Sequence, residues 1–218
     1  AHSTGETSGS YFNRFKKMVK QAYRQKLIPH NPAAEVRTVM GKAKRKDILT
    51  LEEIQTIAAT PTDSSEVRRA FLFSCVTGLR WVDVSSLTWS KINYRGKYMV
   101  LRQSKGEDEV EELHTNLNET AMKLIGTPGR PEELVFQLPT ANGANKTVKA
   151  WVKRAGIQKK ITWHNGRHSF GTNLVFHGSD VTVASSLLGH TSLRHTQRYV
   201  KAANELKEKA TDKLNFEL

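Results

Sequence analysis

Six side chains in this sequence carry groups suited to work on an anion: Arg80, Lys105, His164, Arg167, His190 and Tyr199. Tyr199 lies in the stretch "LLGHTSLRHTQRYV", where His190, Arg194, His195 and Arg198 surround it in sequence. A tyrosine that only fills a core needs no such company. Free tyrosine ionises at about pH 10, so only about one in a thousand is phenolate at pH 7. Nearby cations favour the phenolate and make the oxygen a better nucleophile. In "ITWHNGRHSFGTNLVFHG", His164 and Arg167 are spaced i, i+3, which projects both from one face of a helix. The plainer reading of that segment is an amphipathic helix with a wet basic face.

Arg80 stands in "TGLRWVDVSSLTW", after an apolar helix end and between Leu79 and Trp81, so partial burial is expected. A buried arginine is costly unless paired, and Asp83, three residues on, is placed to hold its guanidinium. That pair on its own is a structural salt bridge. Arg80 together with Arg167 makes a planar two-armed clamp of the kind that suits phosphate. Lys105, in "RQSKGE", is expected at a hairpin tip, where a lysine often serves only solubility. An extended hairpin can also place such a lysine in a nucleic-acid groove, where it can give a proton to a leaving alkoxide. The histidines show no HExxH arrangement and one cysteine cannot build a zinc cluster, so no metal site is expected.

The elements that must carry these residues are mostly helical. Apolar spacing predicts a helix from about Ser10 to Lys26, broken by the prolines of "PHNPAAEV". The basic run "GKAKRKD" reads as a linker. Thr50 to Glu53 has the capping-box form and opens a helix. A longer apolar helix is expected from about Ser64 to Leu79, with Gly78 near its end. "KYMVLRQSKGEDEVEELH" reads as two strands around a turn near Ser104 to Glu107. Further helices are expected from about Asn118, Asn142, His164, Val181 and Ser192 onward.

Composition narrows the partner. The chain has 218 residues, 38% hydrophobic and 25% charged, which is globular. No apolar run approaches the roughly 20 residues of a membrane span, and no secretory leader opens the sequence. The single Cys75, inside "AFLFSCVTGL", reads as a buried thiol. These features point to a cytoplasmic protein. A net charge of +13, from 34 Lys plus Arg against 21 Asp plus Glu, favours a polyanion, nucleic acid first.

In order and spacing, "TGLRWVDVSSL", "RQSKG", "HNGRHSFGTNL" and "LLGHTSLRHTQRYV" resemble the tyrosine recombinase (phage-type integrase) family over about residues 45 to 204. The resemblance implies an α+β, mainly α-helical catalytic domain of the DNA breaking-rejoining type, with a small antiparallel β-sheet. It makes Arg80 and Arg167 the phosphate clamp, Lys105 the lysine, His164 and His190 the active-site histidines, and Tyr199 the nucleophile, with Asp83 behind the first arginine. It implies site-specific DNA recombination or integration without metal or cofactor, through a 3′-phosphotyrosyl bond. The implied partners are double-stranded DNA core sites, with no membrane. A homotetramer on DNA is implied for the full-length protein and a monomer for this length without DNA. The setting would be a bacterial cytoplasm, DNA-associated, and the style resembles integrases of Bacteroides-type mobile elements. By the same resemblance, residues 1–36 correspond to the end of a helical core-binding domain, 37–48 to a linker and 49–218 to the catalytic domain. Gly166 departs from the larger apolar residue usual before the second arginine. Two alternatives are a non-catalytic helix-turn-helix module, which leaves Arg80, Lys105 and the His164–Arg167 pair unused, and a type IB topoisomerase.

Overall fold

The structure is a computed structural model that describes residues 5–37, 46–104, 110–190 and 196–212. The chain divides into two compact units, Ala1–Lys46 and Asp47–Leu218. In the first, helix α1 runs Gly5–Arg24. It starts earlier than apolar spacing predicts, because its opening turn is polar and leaves no periodic signal. Tyr11, Phe15, Met18 and Tyr23 of α1 are exposed.

The second unit is built around α3 (Ser65–Thr77). Ser64 caps its start by accepting from Val67 N–H at 3.2 Å, and Gly78 ends it in the left-handed region at φ 72°. Val67, Ala70, Phe71, Leu72, Phe73, Cys75 and Thr77 are all buried, so α3 is covered on nearly every side. Before it, α2 (Leu51–Ala59) opens with the expected capping box between Thr50 and Glu53. After it come α4 (Trp81–Ser85), a 3₁₀ turn (Trp89–Lys91) and strands β1 (Ile92–Asn93), β2 (Tyr98–Ser104) and β3 (Val110–Asn116). The sheet has the order β1-β2-β3, antiparallel throughout, with Leu101 opposite Leu113 and Ser104 opposite Val110. The short α4 and β1 carry too few residues to show a period, so sequence reasoning passed over both. Lys105 and the expected hairpin turn lie outside the described residues.

Three of the remaining helices wrap α3, namely α5 (Glu119–Ile125), α6 (Ala141–Arg154) and α7 (Trp163–Phe176), and α8 (Val181–Leu187) packs on α7 and β3. The last, α9 (Gln197–Asp212), packs on α7. Phe71 of α3 meets Trp151 of α6 and Trp163 of α7 edge-on, with ring centroids 6.2 and 5.7 Å apart. No described helix is long and apolar enough to cross a membrane.

Helix α7 has a buried face that is polar rather than apolar. Asn165, Ser169 and Asn173, one turn apart, form a ladder against the segment that enters the unit. Asn165 Nδ2 donates to the Asp47 carbonyl at 2.6 Å, Ser169 Oγ accepts from Leu49 N–H at 2.8 Å, and Asn173 Nδ2 donates to the Leu49 carbonyl at 3.0 Å. The backbone of this entering strap is thus satisfied by side chains.

Gly166 lies buried where α7 approaches α3. A Cβ there would come within 3.2 Å of Phe71 and 3.3 Å of both Cys75 and Ser74. A side chain larger than hydrogen at this crossing would have to push these neighbours aside by a few tenths of an ångström or more. Gly166→Val should lower stability by about 1–3 kcal/mol through overpacking. The check is the midpoint of denaturant unfolding; an unchanged midpoint would show that α3 gives way at no cost.

Candidate active site

The centre of the site is the Arg167 guanidinium on α7, 3% exposed. Its Nη1 donates to the Gly78 carbonyl at 2.8 Å and its Nη2 to the Leu188 carbonyl at 2.6 Å. Gly78 is the C-cap of α3 and Leu188 the C-cap of α8. The carbonyls at helix C-termini carry partial negative charge, so two converging helix ends stand in for a carboxylate. The compensation is partial. Burial, and next the like charge of Arg80, lower the Arg167 pKa to about 10, against the upward pull of Tyr199 and Asp83. Arg167 therefore stays charged at neutral pH, held at a cost of about 3 kcal/mol relative to a solvated guanidinium.

Tyr199, near the start of α9, docks beside it and is 1% exposed. The Arg167 guanidinium lies close enough to the phenol oxygen to favour the phenolate. The ring lies parallel to His190, with centroids 5.8 Å apart and planes 5° from parallel, and tilted against His168 at 5.7 Å. The Arg198 guanidinium stands 5.4 Å from its centroid. A Cβ on Gly171 would lie 3.1 Å from the ring carbons, so the bare backbone of α7 at this point is what lets the tyrosine seat. Sequence reasoning emphasised the cations that ease ionisation. The structure corrects the balance: burial raises the Tyr199 pKa above its ordinary value, and Arg198, Arg167 and Arg80 pull it down by less. The phenol is neutral in the uncomplexed protein.

His190 sits just past Gly189, which turns the chain at φ 58°. Its Nδ1 pairs with the Thr196 hydroxyl at 2.9 Å, and its backbone N–H donates to the Ser185 carbonyl at 3.0 Å. Tyr199 N–H donates to the Thr196 carbonyl at 2.8 Å, so Thr196 ties His190 and Tyr199 together. His164 is exposed one turn before Arg167 and packs edge-on against His168 at 4.5 Å.

Arg80 differs from expectation. It is exposed rather than partly buried, as the N-cap of α4. Asp83 accepts from Arg80's backbone N–H at 3.2 Å, so the carboxylate holds the main chain of residue 80 rather than its guanidinium. The apolar neighbours Leu79 and Trp81 pack inward and leave the N-cap side chain at the surface. Arg80 still lies near enough to Arg167 and Tyr199 to shift both their pKa values. Arg167, Tyr199, His190 and, through His168, His164 are thus gathered in one place, with Arg80 beside them. Lys105, Arg194 and His195 lie outside the described residues.

Three contributors were not singled out from sequence: His168, Gly171 and Thr196. His168 was legible, since it follows His164 by four residues on the same helix face. Gly171 and Thr196 acquire meaning only from α9. Among the described residues, no group of three or more His, Cys, Asp or Glu is arranged to hold a metal ion.

Comparison with known proteins places this geometry in a family. Residues 47–205 match the phage integrase family. A tyrosine recombinase of Thermosipho africanus is 28% identical over 195 residues, covering 86% of this chain and 69% of that protein. The tyrosine recombinase XerD of Pseudomonas putida is 29% identical over 202 residues, covering 83% of this chain and 65% of its own length. Among solved structures, the Tn1549 transposon integrase in complex with circular intermediate DNA superposes with a TM-score of 0.69 at 18% identity, over 90% of this chain and 75% of that one. The XerA recombinase gives 0.60 at 20% identity, over 92% and 74%. These two fix the fold, and the family match spans both Arg80 and Tyr199. This chain therefore belongs to the phage integrase family, and its second unit carries the catalytic domain of a tyrosine-type site-specific recombinase.

Proposed function

We propose that Tyr199 is the nucleophile of a DNA strand cleavage and rejoining reaction, with Arg80 and Arg167 as the clamp on the scissile phosphate. The observation that carries this reading is the Tyr199 ring, buried against Gly171 and stacked on His190, beside a buried, charged Arg167 that acts on its phenol. A nucleophile is already held beside a group that binds phosphate oxygens. In the reaction the phenol oxygen attacks phosphorus, the phosphorus–5′-oxygen bond breaks, and a 3′-phosphotyrosyl link remains. The phenol's proton leaves toward His164, with His168 in ring contact with both. Lys105, next in the chain after β2, protonates the departing 5′-oxygen. His190 hydrogen-bonds the phosphate. The arginines stabilise charge that grows on the non-bridging oxygens. The covalent link conserves the phosphodiester, so rejoining needs no nucleotide cofactor.

Double-stranded DNA is the partner that fits. Lys91, Arg95 and Arg102 line one open groove along the sheet with Asp83 and Glu112, leaving it a small net positive charge. The first unit is the end of a core-binding domain in this reading, and the whole protein works as a tetramer on two duplexes, DNA-associated in a bacterial cytoplasm. A non-catalytic DNA-binding module gives no reason to bury a charged arginine against a tyrosine.

A nicked suicide duplex carrying the protein's own core site tests this directly. The unaltered chain should form a covalent adduct and Tyr199→Phe none, with DNA affinity nearly unchanged because only a hydroxyl is lost. Light scattering of the same samples should find monomers without DNA. Equal adduct from both proteins would overturn the nucleophile.

The lysine is tested by its leaving group. A 5′-bridging phosphorothiolate departs as a thiolate and needs little protonation. It should rescue Lys105→Ala far more than Arg80→Ala in single-turnover cleavage; equal rescue would make Lys105 a binding residue.

The buried phenol has a pH signature. The folded protein holds the Tyr199 proton more tightly than the unfolded chain. Its contribution to stability is therefore complete below about pH 10 and is lost as pH rises through the raised folded value. Tyr199→Phe lacks this loss. The melting temperature of Tyr199→Phe minus that of the unaltered protein should grow between about pH 9 and pH 11. A constant difference would show that the phenol is not held neutral by burial.

A further inference from the structure

We propose that Trp81 is a positioning residue for the reaction: its indole, seated against Trp163, fixes Arg80 relative to His164 and Arg167. This rests on the proposed function, since it takes Arg80 as one arm of the phosphate clamp.

The two halves of the clamp come from elements far apart in sequence. Arg167 is locked by two hydrogen bonds in the interior. Arg80 is exposed and belongs to α4, a helix of five residues. One turn of helix is not stable by itself, so packing must set where its first residues point. Val84 buries one side of α4. Trp81 anchors the start, where Arg80 stands. The Trp81 and Trp163 rings meet with centroids 4.6 Å apart and planes at 87°, an edge-to-face contact in which the positive rim of one ring faces the negative face of the other.

Trp163 is a firm seat. It is 3% exposed, packs against Phe71 of α3 at 5.7 Å, and its backbone N–H donates to Asn145 Oδ1 of α6 at 2.7 Å. Three helices therefore fix the ring that Trp81 touches. The next residue after Trp163 is His164, and Arg167 follows one turn later on the same helix. Each tryptophan thus stands beside a residue of the proposed site: Trp81 follows Arg80, and Trp163 precedes His164. The buried Nε1 of Trp163 has no hydrogen-bond partner. An orphan N–H costs free energy, and a phenylalanine would fill simple core space without it.

The test is a double-mutant cycle on single-turnover adduct formation, using the nicked suicide duplex at saturating concentration. Trp81→Leu should slow cleavage about ten- to a hundredfold, as expected for a displaced clamp group, while the DNA concentration needed for half-saturation stays unchanged. Trp81→Phe, which keeps an aromatic edge, should recover most of the rate. In an Arg80→Ala background Trp81→Leu should add no further slowing, because its effect runs through Arg80. The same fold-slowing in both backgrounds, or full activity of Trp81→Leu, would overturn the inference and leave Trp81 as ordinary packing. Should Trp81→Leu fail to fold, the cycle run with Trp81→Met decides in the same way. An unaltered chain that forms no adduct would overturn the proposed function itself. An Arg80→Ala protein that cleaves normally would remove Arg80 from the clamp and the brace with it.

Discussion

A single buried cation organises the second unit. Arg167 reaches from α7 to the carbonyls that end α3 and α8, and among the described residues no carboxylate shares the hydrogen bonding of its two terminal nitrogens. Helix C-termini supply only fractional negative charge, so the guanidinium is under-compensated, and its depressed pKa records that. A buried ion pair would serve stability better, but it would also neutralise the charge. Leaving the compensation to dipoles keeps a net positive charge in a dry site, where its pull on an anion is strongest.

That constraint propagates outward. For α3 to present its last carbonyl to Arg167, the chain must turn sharply at Gly78, in a conformation that side chains avoid. The space above Gly78 is filled by Phe170 and Leu188, so any Cβ there would collide with both. Leu188 thus contributes its carbonyl to the guanidinium and its side chain to the packing around it. The same leucine lies over Gly171 together with the Tyr199 ring. Arg167, Gly78, Leu188, Gly171 and Tyr199 form one packed cluster, and none of them can shift alone.

The opposing pulls on Tyr199 come from the same cluster. Burial favours the neutral phenol, and three arginines favour the phenolate. The helix that carries the tyrosine is seated by Thr196, which links His190 and the backbone of Tyr199, and by the bare backbone of Gly171. On the far side of α7, the ladder of Asn165, Ser169 and Asn173 clasps the entering strap by three polar groups on a buried face. The helix that holds Arg167 is therefore fixed to the start of its unit by hydrogen bonds and to its end by rings and close backbone contact.

Local features of this protein were legible because their physics is local. The capping box of Thr50 and Glu53, the Ser64 cap and the Gly78 stop need only residues a few positions apart. The two long strands followed from composition, and the buried Cys75 from its apolar run. The spacing from His164 to Tyr199 identified the residues to examine. What sequence misjudged was which arginine is buried. Arg80 has apolar neighbours in the chain yet stands exposed, while Arg167, in a polar-looking segment, is enclosed. Likewise the polar face of α7 hid its burial, and the cations around Tyr199 hid the desolvation that outweighs them. Burial and field are set by whatever packs across from a residue, here the ends of α3, α8 and α9. Those partners lie tens of residues away in the chain and meet only in the folded state.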